Sequence, residues 1–355
     1  MAEKLIALIP GDGIGPEVTR EARRLLEWYQ GQGLPLTLWD LDLGAERYLK
    51  DGTTFPKEVS DKIRAECSAV FLGALGDPRV PDMSHARDIL FGLRFGFDLY
   101  ANIRPVRALS DRLVPLKGRT RADVDFVVFR ENTEGVYVGV GGQVRRGTPH
   151  EIAINEDINT RFGVERIIVA AFEHAKQHGK KRVHMADKSN AMRHAHELWL
   201  RVFDEVGQRY PGIERQHVYV DALCLYLLQD PSQFEVVVTN NLFGDIVTDL
   251  GAGLQGGLGM ACSANVHPAD PTRLGLFEPV HGSAPPLAGK NVANPFASLL
   301  TVGALLSHLG YPEHERHIER AITEAVDSGQ VTRDLGGDLT TTQAADWVIE
   351  RIKTA

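Results

Sequence analysis

Three aspartates are the first candidates for chemistry in this chain. Asp245 and Asp249 stand four residues apart in NNLFGDIVTDLGAGLQGGLG, so a helix over this segment places both carboxylates on one face. Hard oxygen ligands of this kind suit Mg²⁺ or Mn²⁺. The pair is equally compatible with two solvated acids near a helix start, where the helix dipole favours negative charge. A third acid, Asp221, is expected to end the strand VYVDA, at the sheet edge where ligands bind in α/β proteins.

Three arginines form a second group. Arg94 and Arg104 lie in GLRFGFDLYANIRPVR and Arg130 lies in FRENTEGVY, each beside apolar residues that would draw the side chain toward the interior. Because the guanidinium fork binds carboxylates through two hydrogen bonds, the group predicts a dicarboxylic acid as substrate. The alternative is that these are surface arginines at strand ends.

Tyr137 and Lys188 are the candidate proton-transfer groups, in FRENTEGVY and ADKSNAMR. Either residue alone is more often structural, as a half-buried tyrosine or a surface lysine. A lysine that faces a metal ion and a carboxylate, however, could have the lowered pKa that a general base needs. Both residues are therefore interpreted together with the aspartates.

The segment GDGIGPEV, residues 11–18, joins a predicted strand to a predicted helix. Its third glycine, Gly15, falls one position short of the dinucleotide-binding spacing G-x-G-x-x-G. A tight turn that needs the backbone freedom of glycine explains the segment adequately. The sequence therefore does not predict a Rossmann fold here.

The elements that must position these residues alternate between strands and helices. Short strands are predicted in LIALIP, LTLWDLD, SAVFLGA, VDFVVFR, RVHMA, QHVYVDA and EVVVTNN, and helices over residues 17–30, 164–178 and 192–206. This alternation predicts an α/β architecture with helices covering a sheet. Residues 136–160 alternate apolar with small or polar residues around a Gly-Gly turn signal, which predicts a β-hairpin arm. Because an isolated hairpin is only marginally stable in water, the arm is expected to pack on a second subunit.

Composition narrows the class of protein. The 355 residues exceed the usual size of one domain, so two domains are expected. A net charge of -8 argues against nucleic acid as the main partner. The three cysteines are widely spaced and odd in number, which favours a reducing cytoplasm. MAEKLIALIPGDG lacks the long apolar core of a secretory signal, and the longest apolar run, FASLLTVGALL, is too short to span a bilayer, so no membrane association is expected.

Nine segments, in family order, resemble the isocitrate and 3-isopropylmalate dehydrogenase family: GDGIGPEV, LYANIRPVR, FRENTEGVY, ADKSN, VDALCLYLL, TNNLFGDIVTDLGAGLQGGLG, EPVHGSAP, VANP and DLGGDLTT. The resemblance runs essentially from end to end. It implies a two-domain α/β fold of the isopropylmalate dehydrogenase type, which is not a Rossmann fold. The first domain would comprise residues 1–102 and 256–355, and the second would comprise residues 103–255. The arm would clasp a second subunit in a homodimer.

The resemblance also implies roles for individual residues. The implied catalytic residues are Tyr137, Lys188 and Asp221. The implied metal ligands are Asp245 and Asp249 from one subunit and Asp221, beside Lys188, from its partner. The implied substrate-binding residues are Arg94, Arg104, Arg130, Leu90 and Phe91. The implied cofactor-binding residues are Ile14, Gly73, Ala74, Asn190, Glu278, His281, Gly282, Ser283, Ala284 and Asn294.

The implied reaction oxidises and decarboxylates a 2-hydroxy acid that bears a carboxylate on C3. Lys188, assisted by Asp221, would take the hydroxyl proton as hydride leaves C2 for the nicotinamide, and Tyr137 would protonate the enol carbon after CO₂ is lost. A bound Mg²⁺ or Mn²⁺ would acidify the hydroxyl and polarise the developing ketone. The alternative from another class is a non-catalytic subunit of a hetero-oligomeric relative, which would be expected to lack one of these groups.

The substituent on C3 is predicted from HARDILFGLR, in which Leu90 and Phe91 present apolar surface. An isopropyl group is favoured there by roughly 1–3 kcal/mol over a smaller one, which predicts 3-isopropylmalate. Arg87 stands where isopropylmalate enzymes usually have glutamate. RENTEG stands where those enzymes often read RELTGG, and it also occurs in isocitrate, homoisocitrate and D-malate or tartrate enzymes. GDPRVPD is similar to the D-malate and tartrate group. D-malate or tartrate is therefore the second candidate, ahead of isocitrate and homoisocitrate. Leu90 and Phe91 are also compatible with simple core packing.

The cofactor is predicted from SAPPLAGK. NAD-specific members of the family usually carry aspartate where Pro286 stands, and NADP-specific members carry lysine and tyrosine at Pro286 and Leu287. Neither pattern is present. Because no cationic pocket for the 2′-phosphate is evident, NAD is the expected cofactor.

Overall fold

The strands of the computed structural model follow the short apolar runs of the sequence. The structure describes residues 3–354; Met1, Ala2 and Ala355, at the outer ends of the predicted first domain, lie outside that range. The strands are β1 (Lys4–Gly11), β2 (Leu36–Asp40), β3 (Cys67–Ala74), β4 (Ala101–Arg107), β5 (Asp125–Glu131), β6 (Gly141–Val144), β7 (Ile152–Asn155), β8 (Arg182–Asp187), β9 (Glu214–Tyr219), β10 (Val236–Thr239), β11 (Cys262–Val266) and β12 (Gly275–Pro279). The helices are α1 (Gly15–Gly31), α2 (Ala45–Asp51), α3 (Lys57–Glu66), α4 (Ser84–Arg94), α5 (Arg161–Gln177), α6 (Arg193–Gly207), α7 (Val220–Gln229), α8 (Asn241–Leu254), α9 (Phe296–His308), α10 (Pro312–Asp327) and α11 (Thr341–Lys353).

Ten strands form one sheet, in the order β2-β1-β3-β12-β11-β4-β5-β10-β8-β9. β11 is antiparallel to β12 and β4, and β4 is antiparallel to β5, whereas the remaining neighbours are parallel. The half from β2 to β11 comes from both ends of the described chain and the other half comes from its middle. The two halves meet where β11 pairs with β4.

Helices cover both faces of the sheet, which explains why its strands are continuous apolar runs. Alternate residues of β1 illustrate the arrangement: Ile6 and Leu8 pack with α1, α9 and α10, whereas Ala7 and Ile9 pack toward α3 and α4. α5 and α6 cover one face of the other half, and α7 and α8 cover the opposite face. The predicted α/β class and the three predicted helices are confirmed. Among residues 3–354, no helix combines the length and apolar character of a membrane span.

The predicted arm forms, but its turn lies elsewhere. β6 and β7 pair as an antiparallel hairpin, and the Gly-Gly pair expected at the turn, Gly141 and Gly142, lies inside β6. The chain reverses between the strands instead, where Arg145 and Gly147 have φ of +56° and +78°. Gly141 is needed in the strand because a Cβ there would stand 2.2 Å from the Ile154 carbonyl oxygen.

The expectation that Asp221 ends a strand is wrong. β9 ends at Tyr219, and Asp221 lies in the first turn of α7. The apolar residues of this segment follow helical spacing, since Leu223 and Leu227, four residues apart, are both fully buried. An acidic residue in the first turn also interacts favourably with the helix dipole.

Candidate active site

α4, the ends of β3 and β12, and strands β4 and β5 surround a cavity of about 270 Å³. Other cavities are larger, including one of about 350 Å³ on the opposite face of β4, but it gathers none of the predicted site residues. The predicted residues that line the 270 Å³ cavity are Gly73, Ala74, Leu90, Phe91, Arg94, Arg104, Arg130, Tyr137, Asp245, Glu278, His281 and Gly282. The fold thus brings together all five expected substrate-binding residues and half of the expected cofactor-binding residues.

Two of the arginines are held by side chains of α8. Arg130 donates from Nε and Nη2 to Oδ1 of Asn241, at 2.9 and 2.7 Å, and from Nη1 to Asp245. Arg104 donates from Nη1 to Oγ1 of Thr248 at 2.7 Å and from Nη2 to Asp245 at 3.3 Å. Both arginines are almost fully buried. Their guanidinium planes are therefore fixed before any substrate binds.

Asn241 and Thr248 were not singled out in the sequence, although a signal was present. Both lie on the same face of α8 as Asp245, four residues before it and three after it. The same helical spacing that selected Asp249 would have selected them. α8 starts directly after β10, where the Asn240 side chain accepts from the Phe243 amide at 2.9 Å and caps the helix.

The cavity carries an excess of buried positive charge. Burial lowers the pKa of Arg104 and Arg130, and the neighbouring arginines lower that of Arg130 further. Burial also disfavours the ionised form of Asp245, but the charges of Arg130, Arg104 and Arg94 outweigh it and hold its pKa below the ordinary value. Two carboxylates face three guanidinium groups in the cavity, so an anionic ligand would relieve the remaining repulsion between the arginines. Carboxylates match this arrangement because each can accept two parallel N–H bonds.

Arg94 has a partner of its own, Glu278, which the family resemblance implies as a cofactor-binding residue. Arg94 Nη2 donates to Glu278 Oε1 at 2.6 Å, and both side chains are nearly buried. Burial would raise the pKa of Glu278, but the charge and hydrogen bond of Arg94, with a hydrogen bond from Asn265, keep it below the ordinary value. Glu278 therefore contacts a predicted substrate arginine as well as lining the cavity, and its contact with cofactor stays a prediction.

An apolar wall faces the arginines. Leu90 and Phe91, in the last turns of α4, line the cavity. The Phe91 ring stacks on Phe95 with centroids 4.9 Å apart and meets the Tyr137 ring edge-on at 6.3 Å. Phe91 is thus held in place by two aromatic neighbours while part of its ring stays open to the cavity.

Tyr137 stands between the apolar wall and the charged residues. Its hydroxyl donates to Asp245 Oδ2 at 3.3 Å, and the Arg130 guanidinium lies 5.5 Å from the ring centroid. Burial and the negative charge of Asp245 raise the pKa of the phenol above its ordinary value. Tyr137 therefore keeps its proton at neutral pH, as a proton donor must.

The donor set on α8 fits a divalent cation in part. Burial raises the pKa of Asp249, and the nearby negative charge of Asp245 raises it further. A bound cation would relieve the repulsion between these two carboxylates. Within the described part of one chain, no cluster of three His, Cys, Asp or Glu side chains is arranged to hold a metal. Asp245 and Asp249 could supply two hard oxygen ligands from α8, and the remaining ligands of the ion would come from outside this helix.

Lys188 and Asp221 form a separate pair that does not line the cavity. Lys188 Nζ contacts Asp221 Oδ2 at 2.7 Å, and 66% of the Asp221 side chain is exposed. The hydrogen bond from Lys188, together with its positive charge, lowers the pKa of Asp221. The structure brings these two predicted residues together, but it does not bring them to Asp245 within one chain.

The glycine-rich segment 11–18 holds the predicted cofactor loop in place. Ile14 N–H donates to the Ser283 carbonyl at 2.8 Å, and a Cβ at Gly13, where φ is +59°, would stand 2.0 Å from the same oxygen. The buried Glu17 carboxylate accepts from the amides of Gly289 and Asn291. The segment is therefore a close-packed turn, as its spacing allowed, and it fixes the loop that follows β12.

The remaining predicted cofactor residues lie on or beside that loop, apart from Asn190. Ser283 is buried, and Ala284 adopts a left-handed conformation with φ of +39°. Asn294 Nδ2 donates to Asp334 Oδ2 at 3.0 Å. His281 is buried, burial lowers its pKa, and its Nε2 atom has no hydrogen-bond partner within the described chain. This orphaned polar atom fits a loop built to meet a polar ligand, whereas Asn190 is exposed outside the cavity.

Comparison with known proteins gives consistent matches. A family model described as isocitrate/isopropylmalate dehydrogenase matches residues 5–350. The 3-isopropylmalate dehydrogenase of Thermobifida fusca (strain YX) is 43% identical over 348 residues, covering 98% of this chain and 97% of the relative. That of Mycobacterium avium (strain 104) is 45% identical over 319 residues, covering 89% and 92%. The crystal structure of isocitrate dehydrogenase from Methylococcus capsulatus is similar with a TM-score of 0.88 at 36% identity, covering 99% of each chain.

Proposed function

The chain belongs to the isocitrate/isopropylmalate dehydrogenase family, and we propose that it oxidises and decarboxylates 3-isopropylmalate with NAD and a divalent cation. The observation that carries the proposal is the 270 Å³ cavity, in which three buried arginines face an apolar wall. The arginines suit the two carboxylates of a malate, and the wall suits an apolar group on its third carbon. Curated relatives that align over nearly the whole chain bear the same enzyme name.

D-malate and tartrate lose part of their support. The motif RENTEG, which isocitrate, homoisocitrate and D-malate or tartrate enzymes share, carries Asn132 where isopropylmalate enzymes often have leucine. In the fold Asn132 is fully buried, and its amide donates to the Leu99 carbonyl and to Asn265 rather than lining the cavity. Asn132 therefore does not contact the substituent at C3.

The chain supplies the groups that position the substrate and move its protons. Arg94, Arg104 and Arg130 bind and orient the carboxylates of the substrate. Lys188, paired with Asp221, takes the proton of the 2-hydroxyl, and Tyr137 protonates the enol carbon after decarboxylation. When bound, NAD accepts the hydride and the divalent cation polarises the oxygen on C2. Asp245 and Asp249, with Asp221, would hold that cation.

Because Lys188 and Asp221 lie away from the cavity, we infer that a second copy of the chain completes each site. Asp221, Leu225 and Leu228 share one face of α7, and the two leucines are about half exposed, at 51% and 49%. On α8, Ile246 beside the metal-binding carboxylates is 53% exposed. A two-fold dimer that buries these faces would bring Asp221 of one chain toward Asp245 of the other.

The arm provides a second contact in this dimer. Val144, Ile152 and Ile154 are about half exposed on its two strands. A hairpin with exposed apolar side chains is stabilised by packing on another surface.

Within each chain, we propose that residues 1–102 with 256–355 form one domain and residues 103–255 form the other, since the halves of the sheet meet at the β11–β4 pair. All three cysteines are free, which supports placement in the cytoplasm.

NAD is the proposed cofactor although Pro286 replaces the usual aspartate. Pro286 and Leu287 are exposed and offer no charge to a 2′-phosphate. The Asp334 carboxylate lies 3.0 Å from Asn294 Nδ2, so the predicted adenosine site retains a negative group. A carboxylate there would accept a ribose hydroxyl and repel an added phosphate.

Product stoichiometry tests the reaction. With 3-isopropylmalate, NAD and Mn²⁺, the enzyme is expected to release one CO₂ for each NADH formed. NADH formation without CO₂, or no NADH at all, would refute the proposal.

Complementation tests the shared site. Lys188→Ala and Asp245→Asn homodimers are expected to be inactive, whereas their heterodimer keeps one intact site. Refolding an equal mixture gives about half heterodimers, so roughly a quarter of wild-type activity should return. If heterodimers are confirmed by mass spectrometry and no activity returns, both residues act from one chain.

A further inference from the structure

A buried network of asparagine side chains joins the two halves of the sheet beneath the candidate active site. Asn265 on β11 stands opposite Asn102 on β4, and both are fully buried. Asn102 Nδ2 donates to Asn265 Oδ1 at 2.7 Å, and Asn132 Nδ2, just after β5, donates to the same oxygen at 2.9 Å. Asn265 Nδ2 in turn donates to Glu278 Oε1 at 2.9 Å and to the Leu276 carbonyl at 3.1 Å. All four hydrogen-bonding positions of the Asn265 amide are thereby used.

Two branches of the network end on arginines that we propose to bind substrate. Asn102 Oδ1 accepts from Arg104 Nε at 2.7 Å, and Glu278 Oε1 accepts from Arg94 Nη2 at 2.6 Å. Asn265 is therefore hydrogen-bonded directly to Asn102, the partner of Arg104, and to Glu278, the partner of Arg94. It does not line the cavity, so it can affect the substrate only through these side chains.

We propose that Asn265 is a positioning residue that sets the orientation of Arg94 and Arg104 together, and so sets the affinity for the dicarboxylic substrate. The inference rests on the proposed function, because only there do the arginines bind carboxylates. Few side chains could replace Asn265, because the side chain at this position must accept two N–H bonds and donate two, and an amide does both. In a dry interior each bond left unmade is costly, which ties the members of the network to one arrangement.

Asn132 completes the network from the other half of the sheet. Besides its bond to Asn265, its amide donates to the Leu99 carbonyl at 2.8 Å, close to the start of β4. The asparagine of RENTEG is thus explained by its bond to Asn265 rather than by contact with substrate. Without an amide at position 132, Asn265 Oδ1 would lose one of its two donors. Without an amide at position 265, Asn132 Nδ2 would lose one of its two acceptors.

Asn265→Asp is the sharpest test, because it keeps the size of the side chain and its acceptors but removes both donors. It places a second carboxylate where Nδ2 now lies 2.9 Å from Glu278 Oε1. Two carboxylates this close share a proton, and that proton is lost as the pH rises. The charged groups nearest to this pair are Arg94 and Arg104. We expect KM for 3-isopropylmalate to rise with pH in this variant, with kcat affected less. Wild-type KM should lack that rise, and a purely structural role for Asn265 would not produce it.

Asn132→Leu is the second variant, and it introduces no charge. It removes one donor to Asn265 and should raise KM about tenfold, the effect of about 1.4 kcal/mol, without a new pH dependence. Thr301→Val is the matched control, since Thr301 on α9 is fully buried and its hydroxyl donates to the Ala297 carbonyl at 2.7 Å, outside the network. The control should lower the melting temperature and leave KM unchanged.

The outcomes separate this proposal from the proposed function. A wild type that turns over 3-isopropylmalate, with KM of both variants within about twofold of wild type at every pH, would overturn the role of Asn265 alone. If Asn265→Asp does not fold, KM of Asn132→Leu decides the question. A wild type that turns over no substrate would refute the proposed function, and this inference with it.

Discussion

Replacing Phe91 tests whether the apolar wall recognises the substituent on C3. 3-Isopropylmalate differs from D-malate by an isopropyl group, and burial of its three carbons contributes about 2 kcal/mol at roughly 0.8 kcal/mol each. Phe91 and Leu90 provide the apolar surface of α4 in the cavity, so Phe91→Ala should remove more than half of that gain. We expect kcat/KM for 3-isopropylmalate to fall about tenfold, equivalent to about 1.4 kcal/mol.

D-malate serves as the internal reference, because it lacks the group that contacts Phe91. Its kcat/KM should change by no more than about twofold in Phe91→Ala. Phe91→Arg should penalise 3-isopropylmalate further, since a charge then faces the isopropyl group. Leu49→Ala, on the exposed side of α2, is a control that should alter neither value. Equal losses for both substrates in Phe91→Ala would show that the ring supports the fold rather than recognising the substrate.

Three further predictions concern the metal, the proton donor and the cofactor. Chelation with EDTA should abolish NADH formation and Mn²⁺ should restore it, whereas Asp245→Asn should stay inactive with Mn²⁺; full activity after exhaustive chelation would contradict the mechanism. The pKa of Tyr137 is raised above 10.0, so the phenol keeps its proton below pH 10. Deprotonation of Tyr137 should therefore cause no fall in kcat until the pH exceeds 10. Tyr137→Phe should lower kcat throughout, and an unchanged kcat would exclude it as the donor. NAD should be used at least about tenfold better than NADP. Arg333, beside Asp334 in TRDLGG, is the cationic residue that could bind a 2′-phosphate, so an NADP preference that disappears in Arg333→Ala would show that the phosphate binds there.

Local spacing was sufficient for the residues of α8. Asp245 and Asp249 were predicted to share a helix face, and they do, because four residues make close to one helical turn. The apolar neighbours of Arg94, Arg104 and Arg130 likewise predicted burial, which is confirmed. Each of these predictions depends on the periodicity of a single element.

Features that depend on pairing between distant segments were not predictable in the same way. Asn265 and Asn102 meet because β11 and β4 are neighbours in the sheet, and nothing in either segment specifies that register. The Gly-Gly pair of the arm predicts a turn because glycine is common in turns, whereas the close approach of Ile154 requires Gly141 within β6. Asp221 was assigned to a strand because the apolar run before it continues into α7 without a break.

The central claim is that the arginine cavity with its apolar wall is a site for 3-isopropylmalate. The most direct measurement is kcat/KM of the wild-type enzyme for 3-isopropylmalate, D-malate, tartrate and isocitrate, with NAD and Mn²⁺ at one pH. We predict the highest value for 3-isopropylmalate, about thirtyfold above D-malate, as expected for about 2 kcal/mol of apolar contact. A higher value for D-malate, tartrate or isocitrate would contradict the claim, because the wall formed by Leu90 and Phe91 would then not select the substrate.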